Sequence, residues 1–408
     1  MRIENKAIGM VLAAVLIDTI GFGIVIPVFP ALLTSLGHTD IEHATRLAGY
    51  MLVAYAGAQF IAGPILGNLS DRFGRRPVLI ASMLSFGIDY AVMALAPSIA
   101  WLFLGRAIAG AAGAVYGPAG SVVADVMPAE KRGGAFALIG AMFGLGFIIG
   151  PAIGGLLSVW GPRAPFYAAA ALALVNALVM LVAMPETLAR EHRRPFRLRD
   201  AHVIGAFRPL FHAGHAAPLL VAVFLWQLAQ MVYPATWSFW ATARFGWDAT
   251  AIGWSLAFVG LTATIVQGGL TGAAIARFGE RKAVLIGVIA GGLSFLAFSV
   301  VTASWQVYVL FCTSALSGLA MAAMQAMLSG MVDATRQGQL QGGLGAMGSV
   351  TEIVGPLLLT QVLAWGIDHR FPGVSFLIAG VLALACAVIV MTRVRVNAIP
   401  REPTHDTA

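Results

Sequence analysis

Charged side chains inside long apolar runs are the residues of this chain whose type and position could do chemistry. Four interrupt the runs: Asp18, Asp89, Arg106 and Glu352. An ionised group at the bilayer centre costs about 2.5 to 3.5 kcal/mol on insertion scales, so such groups usually face a water-filled cavity and serve ions or substrates. The four residues therefore predict a site for protons, an ion or a charged substrate.

Each of these residues also has a structural alternative. Asp18 and Asp89 could brace a contact between helices or pair with Arg106. Arg106 could be the counter-ion of a carboxylate, or it could bond to backbone carbonyls of a neighbouring helix. Glu352 could take part in proton coupling, or in gating if its helix places it near the cytoplasmic mouth.

The apolar runs that must position these residues make up most of the chain. Of 408 residues, 59% are hydrophobic and only 11% are charged, whereas soluble domains are roughly 25% charged. A membrane-spanning helix needs about 20 apolar residues, so the length allows on the order of 12 spans. The composition excludes a soluble protein and predicts an all-α integral membrane protein, with the bilayer rather than nucleic acid as the partner of its basic residues.

Breaking the runs at charged or Pro/Gly-rich gaps predicts twelve transmembrane helices. Their expected ranges are 7–27, 46–67, 78–96, 99–121, 133–158, 164–184, 217–240, 250–272, 283–302, 305–330, 342–366 and 373–393. Lys and Arg lie mostly in alternate loops, with 20 of the 25 on the side of both termini. The positive-inside rule therefore predicts that both termini are cytoplasmic.

The two halves of the chain repeat one another. Gly67–Arg76 matches Gly272–Arg281, and Gly150-Pro151 matches Gly355-Pro356, each pair at an offset of 205 residues. The sequence thus predicts two pseudo-symmetric six-helix bundles. Their predicted bounds are residues 1–184 and 217–393, with a cytoplasmic linker at 185–216 and a cytoplasmic tail at 394–408. We interpret the arginine-rich linker as a solvated connection that anchors orientation; a lipid or partner site is the alternative.

Other classes of function lack support in the sequence. Cys312 and Cys386 lie in apolar runs without metal-ligand spacing, so neither a disulfide nor a metal site is expected. A membrane enzyme is disfavoured because the spans contain no His-Glu-x-x-His or Gly-x-Ser-x-Gly pattern. A channel is disfavoured by the tandem halves.

Two glycine-containing motifs are more specific than the isolated charges. The loop Gly67–Pro77 combines tight-turn glycines with an acid and three arginines, namely Gly67, Asp71, Arg72, Gly74, Arg75 and Arg76. In the fifth span a proline lies among glycines, which have no side chains and so form a flat helix face. The residues are Gly146, Gly150, Pro151, Gly154 and Gly155. This face predicts a helix that bends and packs closely against its neighbours.

These motifs carry a resemblance to a known family. The loop resembles motif A of the major facilitator superfamily, the fifth span resembles the antiporter motif of its drug exporters, and Leu104-Gly105-Arg106 resembles their span 4 motif. Further stretches resemble the tetracycline-resistance efflux pumps: Asp18-x2-Gly21-x-Gly23, Ser70–Leu79, Asp89-Tyr90, Arg244–Trp247 and Gly338-x2-Gln-Gly342.

The resemblance implies a proton-coupled drug exporter of the bacterial inner membrane that works by alternating access. It assigns Asp18 and Asp89 to a polar cavity, Arg106 to the proton-coupling group, and Asp71 with its arginines to a cytoplasmic gate. Three glutamines match cavity or helix-facing positions, with hydrogen bonding between helices as the alternative: Gln59, Gln267 and Gln325. Five aromatic residues are candidates for binding the drug body or for facing lipid: Phe22, Tyr55, Trp226, Trp237 and Trp254.

The implied partners are a small drug, protons and the lipid bilayer, for a protein acting as a monomer without a cofactor; a tetracycline would enter as a divalent-metal chelate. Two positions depart from the tetracycline pumps. Gly291 stands where they have an acid in span 9, and Ala263 where several have a histidine in span 8. The alternatives are therefore an exporter of other drugs or metabolites, or a proton-coupled uptake symporter, which the antiporter pattern disfavours.

Overall fold

The structure is a computed structural model that describes residues 2–113, 116–195, 216–332 and 337–394. Within these ranges twelve helices are long and apolar enough to cross a membrane. They are Lys6–Gly37 (α1), Ile41–Phe73 (α2), Arg75–Leu95 (α3), Ile99–Val126 (α4), Lys131–Trp160 (α5), Ala164–Ala183 (α6), Ala217–Phe245 (α7), Ala249–Phe278 (α8), Glu280–Val300 (α9), Ser304–Gly330 (α10), Gln337–Asp368 (α11) and Val374–Thr392 (α12). The chain is a multi-pass, all-α membrane protein, as predicted.

Several helices extend beyond the apolar runs that predict them. The predicted end of the first span at residue 27 is wrong, because a short 3-10 turn at Ile26–Val28 absorbs Pro27 and helix resumes to Gly37. α2 begins at Ile41, where Asp40 accepts a hydrogen bond from the His43 amide at 2.9 Å. Because such capping residues are polar, a search for apolar runs stops short of the true helix end.

The twelve helices form two bundles of six with the same internal contacts. In the first, α1 packs on α5 and α6, α2 on α4, and α3 on α4 and α6. In the second, α7 packs on α11 and α12, α8 on α10, and α9 on α10 and α12. The predicted linker and tail lie mostly outside the described residues, so the domain bounds stay predictions.

The 205-residue repeat is visible in matching turns. Gly74 joins α2 to α3 with φ of 107°, and Gly279 joins α8 to α9 with φ of 77°. Both values lie in the region that favours glycine. Arg76 donates to the Leu181 carbonyl at the end of α6 (2.5 Å), and Arg281 donates to the Met391 carbonyl at the end of α12 (2.8 Å). Equivalent arginines therefore cap equivalent helices in the two bundles.

Among the described residues, the side-chain hydrogen bonds between the two bundles lie at one end of the molecule. We call this the closed end; it carries the turn between α1 and α2. There, Ser238 of α7 donates to the Ile26 carbonyl of α1, and Thr250 of α8 donates to the Gly155 carbonyl of α5, each at 3.1 Å. Gln361 of α11 donates to the Arg46 carbonyl of α2 at 3.3 Å.

The opposite end carries the Gly67–Pro77 loop, and we call it the open end. The glycines of α2, α5, α8 and α11 near this end have free space beside them. The four glycines are Gly67, Gly133, Gly272 and Gly342. A Cβ atom added to any of them would have no atom of the described chain within 4 Å, apart from its chain neighbours and the backbone of its own helix. These four glycines therefore make no contact between the bundles at the open end.

Candidate functional site

A cavity of about 470 Å³ lies between the bundles and is lined from both. Asp18, Gln59 and Arg106 belong to its first-bundle wall, and Glu352 reaches it from α11 of the second bundle. Most of the remaining wall is apolar or aromatic, including Phe22, Tyr55, Phe86, Tyr90, Phe143 and Phe147. The cavity therefore combines an apolar surface with a few ionisable groups, as ligand sites do.

Asp89 and Arg106 form a buried ion pair between α3 and α4. An Arg106 Nη2–Asp89 Oδ2 hydrogen bond joins them, and both residues are buried. Gly105 allows this approach, because a Cβ at that position would lie 2.6 Å from Asp89 Oδ1. The guanidinium carbon of Arg106 also lies 5.6 Å from the ring centre of Tyr55. Asp89 is thus held behind Arg106, and only Arg106 of the two reaches the cavity wall.

Asp18 and Glu352 contribute carboxylates to the cavity without an opposing cation. Asp18 is half-buried on α1 and Glu352 is exposed on α11. Neither residue has an ion pair or a side-chain hydrogen bond within the described part of the chain. Since Asp89 is paired with Arg106, Asp18 and Glu352 are the cavity-lining carboxyl groups without an ion-pair partner among the described residues.

The predicted glutamines do not all reach this cavity. Gln59 is half-buried and belongs to the lining, whereas Gln267 and Gln325 are exposed and lie outside it. Gln267 sits in a π-helical segment of α8, Val266–Leu270, beside Gly318 of α10. Its side chain packs against α10, since a Cβ on Gly318 would lie 3.0 Å from Gln267 Cγ.

Three of the five candidate aromatic residues are not at the cavity, and one of them, Trp254, is exposed on α8. Phe22 and Tyr55 line it as expected, but Trp226 and Trp237 are buried inside the second bundle, each 1% exposed. Trp237 donates from its indole N–H to Ser255 at 3.0 Å and packs on Phe311 with ring centres 4.8 Å apart. An expectation that either tryptophan lines the cavity is wrong, because both fill the core of their own bundle.

Trp226 also accounts for the missing acid in α9. A Cβ atom placed on Gly291 would lie 2.7 Å from the Trp226 ring and 3.0 Å from Ser317 Cβ. The indole therefore occupies the volume that a larger side chain at residue 291 would need. Sequence reasoning noticed the glycine but had no means to identify the side chain that compensates for it.

The segment predicted as the loop Gly67–Pro77 is the last turns of α2, a turn at Gly74 and the start of α3, and it carries a network of charged side chains. Arg75 donates to Asp71 at 2.5 Å, to Asp125 at the end of α4 at 3.1 Å, and to Ser70 at 3.1 Å. Glu186, just after α6, accepts from the backbone amides of Arg75 (2.9 Å) and Arg76 (3.3 Å) at the start of α3. An acid at a helix N-terminus is favourable.

Asp125 and Glu186 were not predicted as site residues. The signal that could have found them is their rarity, since they are acids next to the most basic loops of the chain. Of the predicted arginines, Arg72 stacks its guanidinium over Phe73 at 5.0 Å from the ring centre and has no ion pair in the described structure. Gly67 has free space beside it, while Gly74 forms the turn.

The glycine face of α5 makes close contacts with α1. A Cβ on Gly146 would lie 2.6 Å from Thr19 Cβ, and one on Gly150 would lie 2.7 Å from the Ile20 carbonyl oxygen. Gly154 abuts the Ile24 carbonyl of α1. On the other side of α5, Gly155 and Pro151 pack on α8, against Ala249 and Gly253. α5 therefore lies between α1 and α8 and joins the two bundles.

One cluster of potential metal ligands lies within the described residues, away from the cavity. Asp40, Glu42 and His43 bring one ligand atom each within 4.8 Å of the others at the start of α2. Asp40 caps the helix, and the hydrogen bonds from His43, first its backbone N–H, lower the pKa of this carboxyl. Glu42 pairs with Arg46 at 2.8 Å. Helix capping and ion pairing thus account for both carboxylates.

Comparison with known proteins agrees with this architecture. The sequence profile described as "Major Facilitator Superfamily" matches residues 11–271 and 219–407. The chain is 40% identical to "Tetracycline resistance protein, class C" of Escherichia coli over 94% of this chain and 96% of that protein. It is 27% identical to "Multidrug resistance protein 2" of Bacillus subtilis (strain 168), over 87% of this chain and 88% of that protein.

The fold also matches solved structures. The human organic anion transporter MFSD10 (TETRAN) superimposes with a TM-score of 0.70 at 23% sequence identity, covering 95% of this chain and 99% of that one. At that identity the match speaks for the fold alone. The two six-helix bundles are therefore an arrangement already seen in solved transporter structures.

Proposed function

The chain belongs to the major facilitator superfamily of transporters, and from that premise we propose that it exports a small amphiphilic drug from the cytoplasm in exchange for protons. One observation carries the proposal: a cavity between the bundles holds an intramembrane Asp89–Arg106 pair together with the unpaired acids Asp18 and Glu352. Charged groups at that depth serve ions or substrates, and the curated relatives carry drug-resistance names.

Proton coupling rests on competition for the same carboxylates. A cationic or amphiphilic drug bound near Asp18 or Glu352 is favoured when these groups are ionised, and a bound proton removes that attraction. Asp89 adds a second step, because a proton on Asp89 would release Arg106 from its ion pair and change the charge at the cavity wall. Proton binding and drug binding are then mutually exclusive, as exchange requires.

The contrast between the two ends of the molecule supports alternating access as the proposed mechanism. The bundles would rock about the central cavity, exchanging the contacts at the closed end for contacts at the open end. By the order of spans in the sequence, 20 of the 25 Lys and Arg residues fall in segments on the same side as the Gly67–Pro77 segment, so the positive-inside rule assigns the open end to the cytoplasm. In this orientation Asp71 and the arginines of its loop form a cytoplasmic gate, and the cavity faces the cytoplasm.

The chemical identity of the drug is a separate part of the proposal. Tetracycline, entering as a divalent-metal chelate with net positive charge, suits the two unpaired acids and agrees with the names of the relatives. Broader drug specificity is the alternative, favoured by the match to a multidrug resistance protein and by Trp226 closing the space at Gly291. A resistance profile of a pump-deficient bacterial host across tetracyclines, phenicols, quinolones and cationic dyes distinguishes the two.

The transporter would work as a monomer and without a resident cofactor, since the proton gradient supplies the driving force. Its cavity is completed by helices of one chain, with walls from both bundles. Size-exclusion chromatography with light scattering on the transport-active protein tests the monomer. Transport of a cationic dye, which needs no metal itself, after exhaustive metal chelation tests whether the protein needs a metal of its own.

The assignment of Asp89 is tested in everted membrane vesicles energised by a pH gradient. We expect Asp89→Asn to lose at least tenfold in gradient-driven drug uptake, because the buried Arg106 would keep its charge without a proton-binding partner. Asp368→Asn is the matched control, since Asp368 is exposed at the closed end of α11, and it should transport as the wild type does. Wild-type uptake by Asp89→Asn would disprove the assigned role.

A further inference from the structure

Helix α8 is interrupted near its open end. Residues Val266–Leu270 form a π-helical segment, after which regular helix resumes at Thr271–Phe278 and ends at the Gly279 turn. Such segments are short, rare and frequently found at functional sites, and sharp bends in helices commonly occur at them. The segment divides α8 into a closed-end part, Ala249–Ile265, and a short open-end part, Thr271–Phe278, which we call the flap.

The interruption lies where α8 loses contact with the first bundle. Along the closed-end part, a Cβ on Gly260 would lie 2.5 Å from Ile148 of α5, and a Cβ on Gly144 of α5 would lie 3.7 Å from Thr264 Oγ1. The next three glycines of α8 have no described atom within 4 Å of an added Cβ, apart from chain neighbours and their own helix backbone: Gly268, Gly269 and Gly272. The π-helical segment therefore begins where the contact with α5 ends.

The flap is loosely held within its own bundle. Of its eight residues only Thr271 is buried, whereas the closed-end part buries six. Thr271 donates to the Val266 carbonyl at 3.1 Å, a bond that stays inside α8. Within the described part of the chain, no side-chain hydrogen bond or ion pair joins the flap to another helix. Few interactions therefore oppose a movement of the flap.

The equivalent segment of the first bundle is fixed by charges that the flap lacks. At the 205-residue offset, Asp71 and Arg75 correspond to Ala276 and Glu280. Arg75 joins the end of α2 to α4, through its hydrogen bonds to Asp71 and Asp125. An alanine at residue 276 and an acid at residue 280 cannot form this network. The end of α2 is thus tied to its bundle, while the end of α8 is not.

The π-helical segment also has room on its inner side, because it lies against a second interruption. The Gln267 side chain packs on Gly318 of α10. Gly318 directly follows a 3-10 turn at Ala315–Ser317 in the middle of α10, and a mid-helix stretch of 3-10 often marks a hinge. A change of twist in α8 at this point therefore meets a glycine rather than a large side chain.

We infer that the flap swings about the π-helical segment when the open end closes, so that α8 bends while its bundle rocks. A rigid bundle would carry all parts of α8 through the same rotation. A loosely held half-helix beyond an interruption moves independently of the bundle, and the flap is such a half-helix. The inference rests on the proposed alternating access and adds to it a movement inside the second bundle.

The test measures distances within the second bundle by pulsed electron paramagnetic resonance on the spin-labelled full chain in nanodiscs, in a background without its two cysteines. Ala276→Cys/Val388→Cys joins the flap to α12. Trp254→Cys/Val381→Cys joins the closed-end part to the same helix and is the matched control. All four positions are exposed. Residue 276 lies about 12 Å along the helix from residue 268, so a bend of about 20° moves it by about 4 Å.

A third pair, Gly67→Cys/Gly342→Cys, reports whether the open end has closed, and acidification and tetracycline with Mg²⁺ are used to change the state. Where this reporter distance shortens, we expect the flap distance to shift by about 4 Å and the control distance to stay unchanged. A shortened reporter distance with an unchanged flap distance would overturn the inference and leave alternating access in place. A reporter distance that never shortens would contradict alternating access, and the inference with it.

Stiffening the π-helical segment gives an independent readout. Alanine favours regular helix over glycine, and added Cβ atoms at Gly268 and Gly269 meet no described neighbour. We expect Gly268→Ala/Gly269→Ala to lose at least fivefold in gradient-driven tetracycline uptake into everted vesicles, with an unchanged Kd for tetracycline with Mg²⁺. Gly272→Ala adds the same methyl group inside the flap and should transport normally. Wild-type uptake by the double variant, or equal losses in both, would overturn the inference.

Discussion

Asp89 and Arg106 are each the only partner that neutralises the other's charge in the described structure. Breaking a buried ion pair by removing one member costs about 3–5 kcal/mol, because the remaining charge stays buried and unpaired. We therefore expect Arg106→Gln to lower the midpoint of thermal unfolding, followed by tryptophan fluorescence in detergent. The double variant Asp89→Asn/Arg106→Gln should unfold at a higher temperature than Arg106→Gln alone. Equal midpoints for the two would mean that the pair contributes nothing to stability.

The close packing of Gly291 against Trp226 leads to a second prediction, which concerns the stability of the fold. Because an added Cβ would lie 2.7 Å from the indole, Gly291→Ala should destabilise the fold by about 1–3 kcal/mol, as overpacking does. Gly272→Ala is the control, since no described atom lies within 4 Å of a Cβ there. In a Trp226→Phe background the cost of Gly291→Ala should shrink. An unchanged cost would show that the indole is not the obstacle.

The sequence predicted which charged residues lie in the membrane-spanning helices but not which of them form ion pairs. Asp18, Arg106, Glu352 and Gln59 do meet at one cavity. Pairing of Asp89 with Arg106 was only one of two alternatives, because a spacing of 17 residues across a turn leaves the facing of α3 and α4 open. Trp226 and Trp237 could not be assigned to a core rather than a cavity, since an aromatic residue suits both environments.

The element with the clearest constraint is α5, whose glycine face packs on α1. Gly150→Ala should separate α1 from α5, because its Cβ would lie 2.7 Å from the Ile20 carbonyl oxygen. We expect at least a fivefold loss of transport in everted vesicles at normal expression. Gly140→Ala is the matched control in the same helix, having no described atom within 4 Å of its Cβ, and should transport normally. Similar losses in both variants would indicate a general intolerance of α5 to alanine.

Helices were predictable from the sequence because long apolar runs leave few alternatives in a bilayer. The number of spans was correct, and the equivalence of Arg76 with Arg281 at the 205-residue offset is repeated in the caps of α6 and α12. Helix ends were less predictable, as at Gly37 and Ile41, because the last turns carry polar caps. Contacts such as Glu186 with the start of α3 join segments far apart in sequence, and periodicity gives no information about them.

Contacts at the closed end hold the whole molecule in one state. Cross-linking between the bundles tests this arrangement. In a background without Cys312 and Cys386, Arg46→Cys/Gln361→Cys should be joined rapidly by a short bifunctional maleimide, since these side chains meet between α2 and α11. Joining them should stop transport by preventing the closed end from opening. Gly67→Cys/Gly342→Cys, at the open end of the same two helices, should react slowly. Equal rates for the two pairs would contradict the described state.

The sequence does not specify which end of the molecule is open, because the same side chains must serve both states of a transporter. What decides the described state is a small set of contacts between bundles, such as Ser238 with the Ile26 carbonyl and Thr250 with the Gly155 carbonyl. Each single hydrogen bond of this kind contributes only about 0.5–1.5 kcal/mol. Such contacts can therefore be exchanged at low cost as the bundles move.

The neutral Asp89–Arg106 pair has an electrical consequence for the transport cycle. If Asp89 and Arg106 both stay charged, Asp18 and Glu352 are the cavity groups that bind and release protons. At most two protons then replace one bound drug. A monovalent cationic chelate exchanged for one proton moves no net charge, whereas exchange for two protons moves one positive charge inward. That charge is worth about 2.3 kcal/mol per 100 mV of membrane potential. Collapsing the potential with valinomycin and potassium should therefore slow a two-proton exchanger and leave a one-proton exchanger unaffected.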